Sequence, residues 1–536
     1  MKRYTTALAG IGLAILFAVS GCSLLGFGAG AAIDSKQTRT IDGWRTFDIP
    51  ANQKITVYCK DRAAVRGKYV GNVKINPETD TAFTAILVKP NGGNVQELPL
   101  TAIDRVVTRT NKGRTVGFIA GLAVDAIVAV AVMNSFDNLF DLNSDNPGNP
   151  NASSCPLIYS HDGTDYRLDA EIFGGAIFRA AERPDWENLD QLRVSEDGLY
   201  RLKMTNEFDE TQQVDFVRLL VIDHPAGVRV YPSFQGEMFT LSDPLSPRKA
   251  NDFAGQDLRS MLRHNDGDFW LSNPFGRDPG NPAGLRDGII LEFDRSVGTG
   301  SAALLLHVQN TLWASGVQKK MLMLPGRELP QWYQTLNESV DAREALMRAM
   351  IREGMLRVYI WEDTQWKPAG HIWEVGSMRA KDVVIELDLL NTHSNTLRIK
   401  LECPPGMWIV NSVKLDYSYY NYPTILQELL VRKATDQTGR DISLPLLKAD
   451  DLYYEMPTTR DVAYLEFIAP PVKQGMERSF IVKGGGYYTI HVPTEGEPQT
   501  ELLQRLLYEP GAFTRFALES LYQETGPVVR HLPQVQ

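Results

Sequence analysis

The chain has few cysteines and no basic excess, and each scarcity excludes a class of protein. Four cysteines in 536 residues are too few for a fold held together by disulfides. Lysine and arginine number 55 against 65 aspartates and glutamates, which gives a net charge of −10, whereas phosphate binding needs a clustered basic excess. We therefore expect neither a disulfide-built scaffold nor a nucleic-acid-binding protein.

The chain also lacks the motifs of the common enzyme classes. It contains no Gly-x-Ser-x-Gly elbow, P-loop, zincin motif, kinase set or Cys-x-x-Cys pair. We therefore predict no catalytic residue, no metal site and no cofactor. The apolar fraction of 43% is that of a globular protein, and the length suggests roughly three folded units.

The first residues have the organisation of a secretory signal peptide. A basic Lys2-Arg3 pair precedes an apolar run from Ala7 to Val19, which is shorter than the ~20 residues that span a bilayer. The segment Val19-Ser20-Gly21-Cys22 then resembles the lipobox of bacterial lipoproteins. An ordinary signal peptide with a chance cysteine and a transmembrane start are the alternatives.

The lipobox resemblance implies a processing step and a location. Residues 1–21 are expected to be removed as a signal peptide, and Cys22 to carry the lipid, whose chains contribute ~0.8 kcal/mol per buried CH₂. By the same resemblance, a residue other than Asp after the cysteine, here Ser23, favours the outer membrane. Residues 22–36 are interpreted as a flexible lipidated tether.

Residues 37–112 alternate apolar and polar positions over short stretches. Ile55-Thr56-Val57 is one such stretch, and Asn91-Gly92-Gly93 is one of the turns between them. Roughly four or five short strands in so few residues predict a small SH3-like or Sm-like barrel.

Residues 113–140 begin with an apolar stretch that carries a glycine stripe. On a helix one face would carry Gly113, Gly117, Gly121 and Asp125. Small residues let another backbone approach closely, so we expect either an interfacial or self-associating helix through 113–133 or a helix buried against the preceding barrel. A membrane span would place the basic flank in the cytoplasm, in conflict with export by the lipobox.

The remainder of the chain is predicted to be β-rich. Residues 141–154 are rich in Asn, Asp, Gly, Pro and Ser and are a predicted linker. Alternating strands with hairpin turns such as Asp162-Gly163 predict a β-sandwich domain at 155–325 and a second β-rich domain at 326–497. Strands with few helices between them favour antiparallel sheets, so the predicted fold class is mainly β.

Helices are predicted in two places of the body. One lies at about 340–352, where apolar residues follow a helical period and Gly354 can end it. The other is a helical tail at 498–536, interrupted by Pro510-Gly511. The tail helices are interpreted as packing elements.

Two groups of residues are weak ligand candidates. The first is a carboxylate cluster formed by Glu207, Asp209, Glu210 and Asp215. Paired carboxylates can separate their pKa values for acid and base chemistry, but a polar strand end is the other interpretation. The second group is a set of tryptophans, which are either core residues or, in part, a sugar-stacking platform. They are Trp186, Trp270, Trp313, Trp332, Trp361, Trp366, Trp373 and Trp408. A disulfide between Cys155 and Cys403 is left open.

Three stretches of the body resemble an uncharacterised bacterial family of secreted or lipid-anchored β-rich envelope proteins. They are Cys155-Pro156 through Gly174-Gly175-Ala176, Thr205–Gln212 with the following Val221–Pro225, and Phe467 through Gly486-Tyr487-Tyr488. The resemblance covers roughly residues 155–492. It implies a shared fold and carries no activity and no functional residues.

The sequence predicts a non-catalytic lipoprotein of the bacterial cell envelope. Its expected role is structural or binding, in assembly, scaffolding or adhesion, with the membrane as one partner and an envelope protein or a second copy as another. The alternative is a periplasmic glycan-binding protein or glycan-processing enzyme, for which two carboxylates roughly 5–9 Å apart beside tryptophans would be the signature. Whether the protein faces the periplasm or the cell surface is open.

Overall fold

The structure, a computed structural model, describes residues 38–42, 54–60, 64–74, 83–90, 93–99, 102–109, 155–295, 300–390, 394–419 and 422–525. The chain forms two compact units, residues 1–138 and 139–534. The predicted signal peptide, the tether with Cys22, the helix at 113–140 and the linker at 141–154 lie outside the described residues. So do the glycine stripe of Gly113, Gly117 and Gly121 and the associated Asp125.

The first unit contains one antiparallel sheet of short strands, in the order β1-β6-β2-β3-β4-β5. The strands are β1 (Thr38–Asp42), β2 (Lys54–Cys59), β3 (Val65–Lys74), β4 (Phe83–Pro90), β5 (Gln96–Pro99) and β6 (Ile103–Arg109). Two register shifts in the β3–β4 pairing bend that hairpin, because each adds an unpaired residue to one strand.

The core of this sheet follows from the alternation along each strand. On β2, Ile55 and Val57 are buried while Lys54 is exposed, because successive side chains point to opposite faces. They pack with Ile86, Val88 and Leu98 in one cluster, and Cys59 lies against it.

The second unit is β-rich, and its strands fall into two assemblies. The strands up to the chain's midpoint are β7 (Leu157–His161), β8 (Tyr166–Glu171), β9 (Arg183–Asn188), β10 (Tyr200–Thr205), β11 (Glu210–Pro225), β12 (Arg229–Pro232), β13 (Met238–Leu241), β14 (Lys249–Asp252), β15 (Trp270–Leu271), β16 (Asp287–Asp294) and β17 (Ser301–Asn310). Those that follow are β18 (Leu356–Glu362), β19 (Gln365–Ile372), β20 (Lys381–Asp388), β21 (Thr396–Cys403), β22 (Trp408–Asp416), β23 (Ile425–Leu430), β24 (Lys433–Asp436), β25 (Tyr454–Met456), β26 (Val462–Phe467) and β27 (Met476–Ile490).

Strand pairing nests one assembly inside the other. The flanking assembly, built from residues 157–225 and 425–490, has the sheets β24-β26-β10-β7-β8 and β23-β11-β27-β9. The inserted assembly, built from residues 249–416, has the sheets β14-β16-β21-β18-β19 and β15-β22-β17-β20. The long strands β11 and β27 pair along their length. The flanking assembly is therefore formed by two chain segments, one before and one after the inserted residues.

This nesting differs from the predicted division at residues 325 and 326. That boundary lies within the inserted assembly, because β16 and β17 before it pair with β20, β21 and β22 after it. The predicted domains at 155–325 and 326–497 each supply strands to both assemblies. The sequence did not reveal this, because the alternation of apolar and polar residues along a strand does not indicate which distant strand it pairs with.

The helices of the second unit are α1 (Leu312–Met323), α2 (Leu329–Glu338), α3 (Val340–Glu353), α4 (Thr500–Tyr508) and α5 (Ala512–Thr525). The helix at 340–352 and the helical tail up to residue 525 are as predicted. Leu503 and Leu506 of α4 and Ala512 of α5 lie in one core cluster with Met321 of α1. The prediction of a single internal helix was wrong, since α1 and α2 precede α3.

The missed helix α1 has a physical explanation. Most of its residues are buried, on all sides of the helix, from Leu312 and Trp313 to Leu322. A helix that is apolar all round shows no amphipathic stripe, so its period is hidden. None of the helices in the described part of the chain combines the length and apolarity that crossing a bilayer requires.

Candidate functional site

Of the four candidate carboxylates, Glu207 and Asp209 precede β11 and Glu210 and Asp215 lie on it, and the four do not converge. Glu207 accepts hydrogen bonds from Tyr159 Oη (2.6 Å) and Thr205 Oγ1 (2.8 Å). Asp209 is at the surface, with one oxygen 2.8 Å from His491 Nδ1. Each of these two carboxylates has its own structural partner.

Glu210 and Asp215 are buried and lie elsewhere along β11. Glu210 accepts a hydrogen bond from Gln212 Nε2 at 2.8 Å. Asp215 stands at the register shift between Val214 and Phe216 and accepts two backbone N–H groups, from Asp450 (3.1 Å) and Asp451 (3.0 Å). Burial raises the pKa of Asp215. Within the described residues, no three His, Cys, Asp or Glu side chains are grouped so that they could hold a metal ion.

Cys155 and Cys403 are both buried, and neither forms a disulfide. The thiol of Cys155 donates to Tyr488 Oη at 3.6 Å. Burial raises the pKa of both thiols well above the ordinary value, so neither is a reactive thiolate.

The candidate tryptophans divide into core and surface. Trp270, Trp313 and Trp408 are buried, as the core interpretation predicts. Trp361 and Trp366, in contrast, are half-exposed and lie opposite each other across the β18–β19 hairpin. This pair gives the sugar-stacking interpretation geometric support. Trp186, Trp332 and Trp373 are also half-buried, but none of them lies opposite another tryptophan in the sheet register.

The surface around this pair is the outward side of the sheet β14-β16-β21-β18-β19. On β21, Leu397, Ile399 and Leu401 are buried and the residues between them are half-exposed, because side chains alternate across a strand. The half-exposed side is named here the tryptophan face and consists of Arg357, Tyr359, Trp361, Trp366, Arg398, Lys400 and Glu402.

Aromatic rings and cations alternate across the tryptophan face. The rings of Trp361 and Trp366 meet edge to face, with centroids 5.1 Å apart at 71°. The Arg398 guanidinium carbon lies 4.9 Å and 5.5 Å from these two centroids. Lys400 Nζ lies 4.2 Å from the Tyr359 ring centroid. All these distances are within the ≈6 Å range of cation–π attraction.

The charges of the tryptophan face do not balance. Glu402 receives ion pairs from Arg357 and from Lys400 (2.8 Å). Burial alone would raise the pKa of Glu402, but these cations outweigh it and hold the pKa below its ordinary value. The tryptophan face therefore carries three cations and one carboxylate, and two of the cations pair with it.

Arg398 is the cation without a carboxylate partner among the described residues. Glu292 lies opposite it in the sheet register, but the Glu292 carboxylate is bound by Lys249 (3.1 Å) and Arg248 (3.4 Å). The Nε of Arg398 is buried and has no hydrogen-bond acceptor. A half-exposed guanidinium beside two aromatic rings, without a carboxylate partner among the described residues, is arranged to receive an anionic oxygen.

A second aromatic surface lies on the flanking assembly. Lys203 Nζ is 4.0 Å from the Tyr159 ring centroid and 5.6 Å from that of Tyr166. This second surface combines tyrosines with a lysine, whereas the tryptophan face combines tryptophans with an arginine. It therefore serves as an internal control in binding experiments on the tryptophan face.

Sequence reasoning also missed a buried cluster where the two assemblies meet, named here the junction cluster: Glu171, Asp185, Glu187 and Lys381. Lys381 Nζ, on β20, lies 2.8 Å from Asp185 and 3.5 Å from Glu187, both on β9. All four side chains are nearly inaccessible to water. A buried charge is tolerated only when it is paired, and these charges join the two assemblies.

The two carboxylates beside Lys381 have opposite pKa shifts. Burial alone would raise the pKa of Asp185, but Lys381 and Arg183 outweigh it and hold the pKa below its ordinary value. Burial raises the pKa of Glu187 well above its ordinary value, against the attraction of Lys381. The shorter contact explains the difference, since one ammonium neutralises one carboxylate and the nearer one is Asp185.

Glu171, the fourth residue of the junction cluster, accepts hydrogen bonds from backbone N–H groups. Its carboxylate accepts from Met378 (2.8 Å), Arg379 (3.2 Å) and Ser377 (3.3 Å). Gly376, at φ +101°, brings this loop close, and a Cβ there would lie 2.2 Å from the Glu171 carboxyl carbon. The junction cluster is therefore an internal connection with no room for a substrate.

The tryptophan face left a partial signal in the sequence. Arg357-x-Tyr359-x-Trp361 and Arg398-x-Lys400-x-Glu402 each show period-two alternation, which indicates a strand with one polar side. Nothing in the sequence shows that the two stretches are neighbours in one sheet, because 36 residues lie between them.

No protein-family model matches this chain, and no curated protein matches it. Among solved structures, it matches a β-porphyranase of glycoside hydrolase family 86, BpGH86A, from the human gut bacterium Bacteroides plebeius. The identity is 9% and the TM-score 0.15, over 49% of this chain and 39% of that chain. The match thus spans well under half of the β-porphyranase, and a TM-score of 0.15 does not establish a common fold.

Proposed function

We propose that this protein is a lipid-anchored component of a bacterial cell envelope with a non-catalytic binding role. The lipobox-like Val19-Ser20-Gly21-Cys22 supports the anchor, and Ser23 supports the outer membrane as its location. The observation that supports the binding role best is the tryptophan face, where an arginine without a carboxylate partner lies on two half-exposed indole rings. The one acid of this face, Glu402, is engaged in ion pairs, which disfavours a catalytic role for it.

The finer fold assignments belong to the same proposal. An SH3-like barrel for residues 37–112 is supported by the strand order, since β2 to β5 form a meander and β6 returns beside β2. A sandwich for each assembly of the body is supported by the strictly alternating burial of strands such as β18 and β21. The glycine-striped helix at 113–140 remains the proposed site of self-association or of contact with an envelope protein.

The anchor is tested by replacing the proposed lipidated cysteine. Cells that express the full chain or its Cys22→Ser variant are labelled with a fatty-acid probe and fractionated into inner and outer membranes. We expect the label and the outer-membrane fraction to be lost in the variant, with the chain uncleaved or soluble. Retained labelling of Cys22→Ser would show that the anchor assignment is wrong.

Anionic glycan binding is the second candidate, and the tryptophan face favours it specifically. Indole rings present flat apolar surfaces, and Arg398 and Lys400 supply charge for a sulfate or carboxylate group on a sugar. We expect the full chain to be retarded in gels that contain dextran sulfate and not in gels that contain neutral dextran.

Matched variants assign the retardation to the face. Trp366→Ala and Arg398→Met should each abolish most of it, while Lys203→Met, on the tyrosine surface of the flanking assembly, should not. Equal loss in Lys203→Met would indicate general charge attraction and contradict a site on the tryptophan face.

A further inference from the structure

A small cavity lies in the second unit where helices meet the ends of strands. Its volume is about 40 Å³, more than the ~10–15 Å³ that one water molecule requires. Ala314, Gln318 and Met321 line it from one side of α1, since residues at this spacing share a helix face. The remaining lining residues come from the end of α3, the end of β17, Glu374 between β19 and β20, the start of β22 and the first turn of α5.

One buried polar atom among the lining residues has no hydrogen-bond partner, and it is an acceptor. Gln318 is 6% exposed, and its Nε2 donates to Glu374 Oε2 at 3.2 Å. Its Oε1 has no hydrogen-bond partner. An unpaired buried acceptor costs about 1–3 kcal/mol, so the site favours an occupant that is positive or donates.

The other polar side chains of the lining are already satisfied. Trp408 Nε1 donates to the Gly354 carbonyl at 2.8 Å. Asn310 Oδ1 accepts the Val375 N–H at 2.8 Å, and its Nδ2 donates to the Met407 carbonyl at 3.4 Å. Glu374 supplies the only carboxylate among the lining residues, and no lining side chain carries a positive charge.

The apolar part of the lining is unusually rich in thioethers. Four of the eleven lining residues are methionines: Met321, Met350, Met355 and Met407. At the chain's frequency of 14 methionines in 536 residues, fewer than one would be expected. Methionine fills irregular gaps in many cores, but thioether sulfur is also the uncharged ligand that selects soft metal ions such as Cu(I).

We propose that this cavity is a binding site for a soft monovalent metal ion of the Cu(I) class. The thioethers of Met321, Met350, Met355 and Met407 are its candidate ligands, and the Glu374 carboxylate balances its charge. Trp408 and Phe513 cover the site with aromatic rings, which attract cations. This site is independent of the proposed envelope role.

The sequence carried no metal motif because the candidate ligands come from distant segments. Met321 is on α1, Met350 and Met355 lie at the end of α3 and just beyond it, and Met407 precedes β22. Only the tertiary fold brings them together, and none belongs to the Cys, His or carboxylate spacings by which metal sites are read from sequence.

The test uses Ag⁺ as a redox-stable probe of the full chain with ¹³C-methyl-labelled methionine. We expect one equivalent of Ag⁺ to shift the methyl resonances of the four lining methionines and to leave those of Met323 and Met347 unchanged. The latter two are exposed, at 44% and 38%, and report ordinary surface binding. Shifts of Met323 and Met347 without shifts of the lining residues would overturn the proposal.

Variants provide a second measurement with a matched control on the same helix. Met350→Leu combined with Met407→Leu conserves volume and should weaken Ag⁺ uptake, measured by metal analysis after gel filtration, by at least tenfold. Met347→Leu, one turn before Met350, should keep wild-type uptake. The cysteine thiols also bind Ag⁺, but they are the same in the wild type and in both variants, so they do not affect the comparison. Glu374→Gln should weaken uptake while the methionines stay in place.

Two outcomes would contradict the proposal directly. Equal Ag⁺ uptake by the double variant and Met347→Leu would show that the methionines only fill the core. Thermal stabilisation by potassium or ammonium, together with no effect of Ag⁺, would show that Glu374 and Gln318 hold a hard cation and that the thioethers do not act as ligands.

Discussion

The junction cluster and the tryptophan face use charge in opposite ways. In the junction cluster, Lys381 is buried and lies against two carboxylates, and its function is to hold β9 and β20 together. On the tryptophan face, Arg398 lies at a half-exposed surface on two rings, with no carboxylate partner among the described residues. The comparison shows that the same residue types stabilise the fold where they are enclosed and remain available to a ligand where they are open.

The difference in burial sets the expected energies. Removing one partner of a buried ion pair costs about 3–5 kcal/mol, because the remaining charge stays buried without compensation. Exposed pairs contribute about 0–1 kcal/mol. Variants of the junction cluster should therefore change stability, while variants of the tryptophan face should change binding with little effect on stability.

Lys381→Met should have the largest effect. The substitution leaves Asp185 and Glu187 without their cation, and we expect the free energy of unfolding of the body to fall by about 3–5 kcal/mol. Chemical denaturation followed by tryptophan fluorescence measures it. Lys249→Met is the control, since that ammonium pairs with Glu292 at the surface. Equal midpoints for the two variants would contradict the structural role of the junction.

Gly376→Ala should have the next largest effect. An L-residue at this positive φ costs about 1–2 kcal/mol, and the new Cβ would also displace the Glu171 carboxylate from its three N–H donors. Gly163→Ala has a similar φ of +99° and open space around it, so it isolates the backbone cost. We expect the thermal midpoint of Gly376→Ala to fall further than that of Gly163→Ala. Matching midpoints would show that the Glu171 contact contributes little.

Glu187→Gln should give a pH-dependent effect. Because the folded-state pKa of Glu187 is raised, the native protein loses stability as the pH rises from the ordinary value of 4.5 toward that raised pKa. The glutamine variant lacks this loss, so its stability relative to the native chain should increase over that interval. Denaturation midpoints at a series of pH values test it, and a relative stability that falls with pH would be the contrary result.

Asp185→Asn sharpens the same comparison at neutral pH. Its carboxylate is the nearer partner of Lys381 and has a lowered pKa, so its ionised form stabilises the fold above the ordinary value of 3.8. We expect Asp185→Asn to be destabilised at pH 7, in contrast to Glu187→Gln. The reverse ranking would assign the ionised role to Glu187.

Arg398→Met should have the smallest effect on stability. The variant loses cation–π contacts of about 0.5–1 kcal/mol each at exposed sites but also removes a buried Nε that has no acceptor. We expect a net change within about 1 kcal/mol, measured by denaturation, and unchanged circular dichroism. A loss comparable to that of Lys381→Met would show that Arg398 is a structural element of the sheet and not a binding group.

Several features of the body were predictable because their causes are local. The hairpin at Asp162-Gly163, the amphipathic helix α3 and the break at Pro510-Gly511 each depend on neighbouring residues. In contrast, α1 was missed because its burial on all sides hides its period. The four acids from Glu207 to Asp215 are close in sequence but take separate partners, because strand alternation and the register shift at Asp215 direct them apart.

Local sequence patterns were enough to predict the mainly β character, the helical tail and the positions of many strands, because alternation and turn residues act over a few residues. Which strands are neighbours follows only from the folded arrangement. It placed residues 249–416 as an insertion between β11 and β27, brought Lys381 to Asp185, and set Arg398 beside Trp361 and Trp366. These pairings depend on burying whole sheet surfaces at once, and that requirement is a property of the folded chain that no local stretch of residues carries.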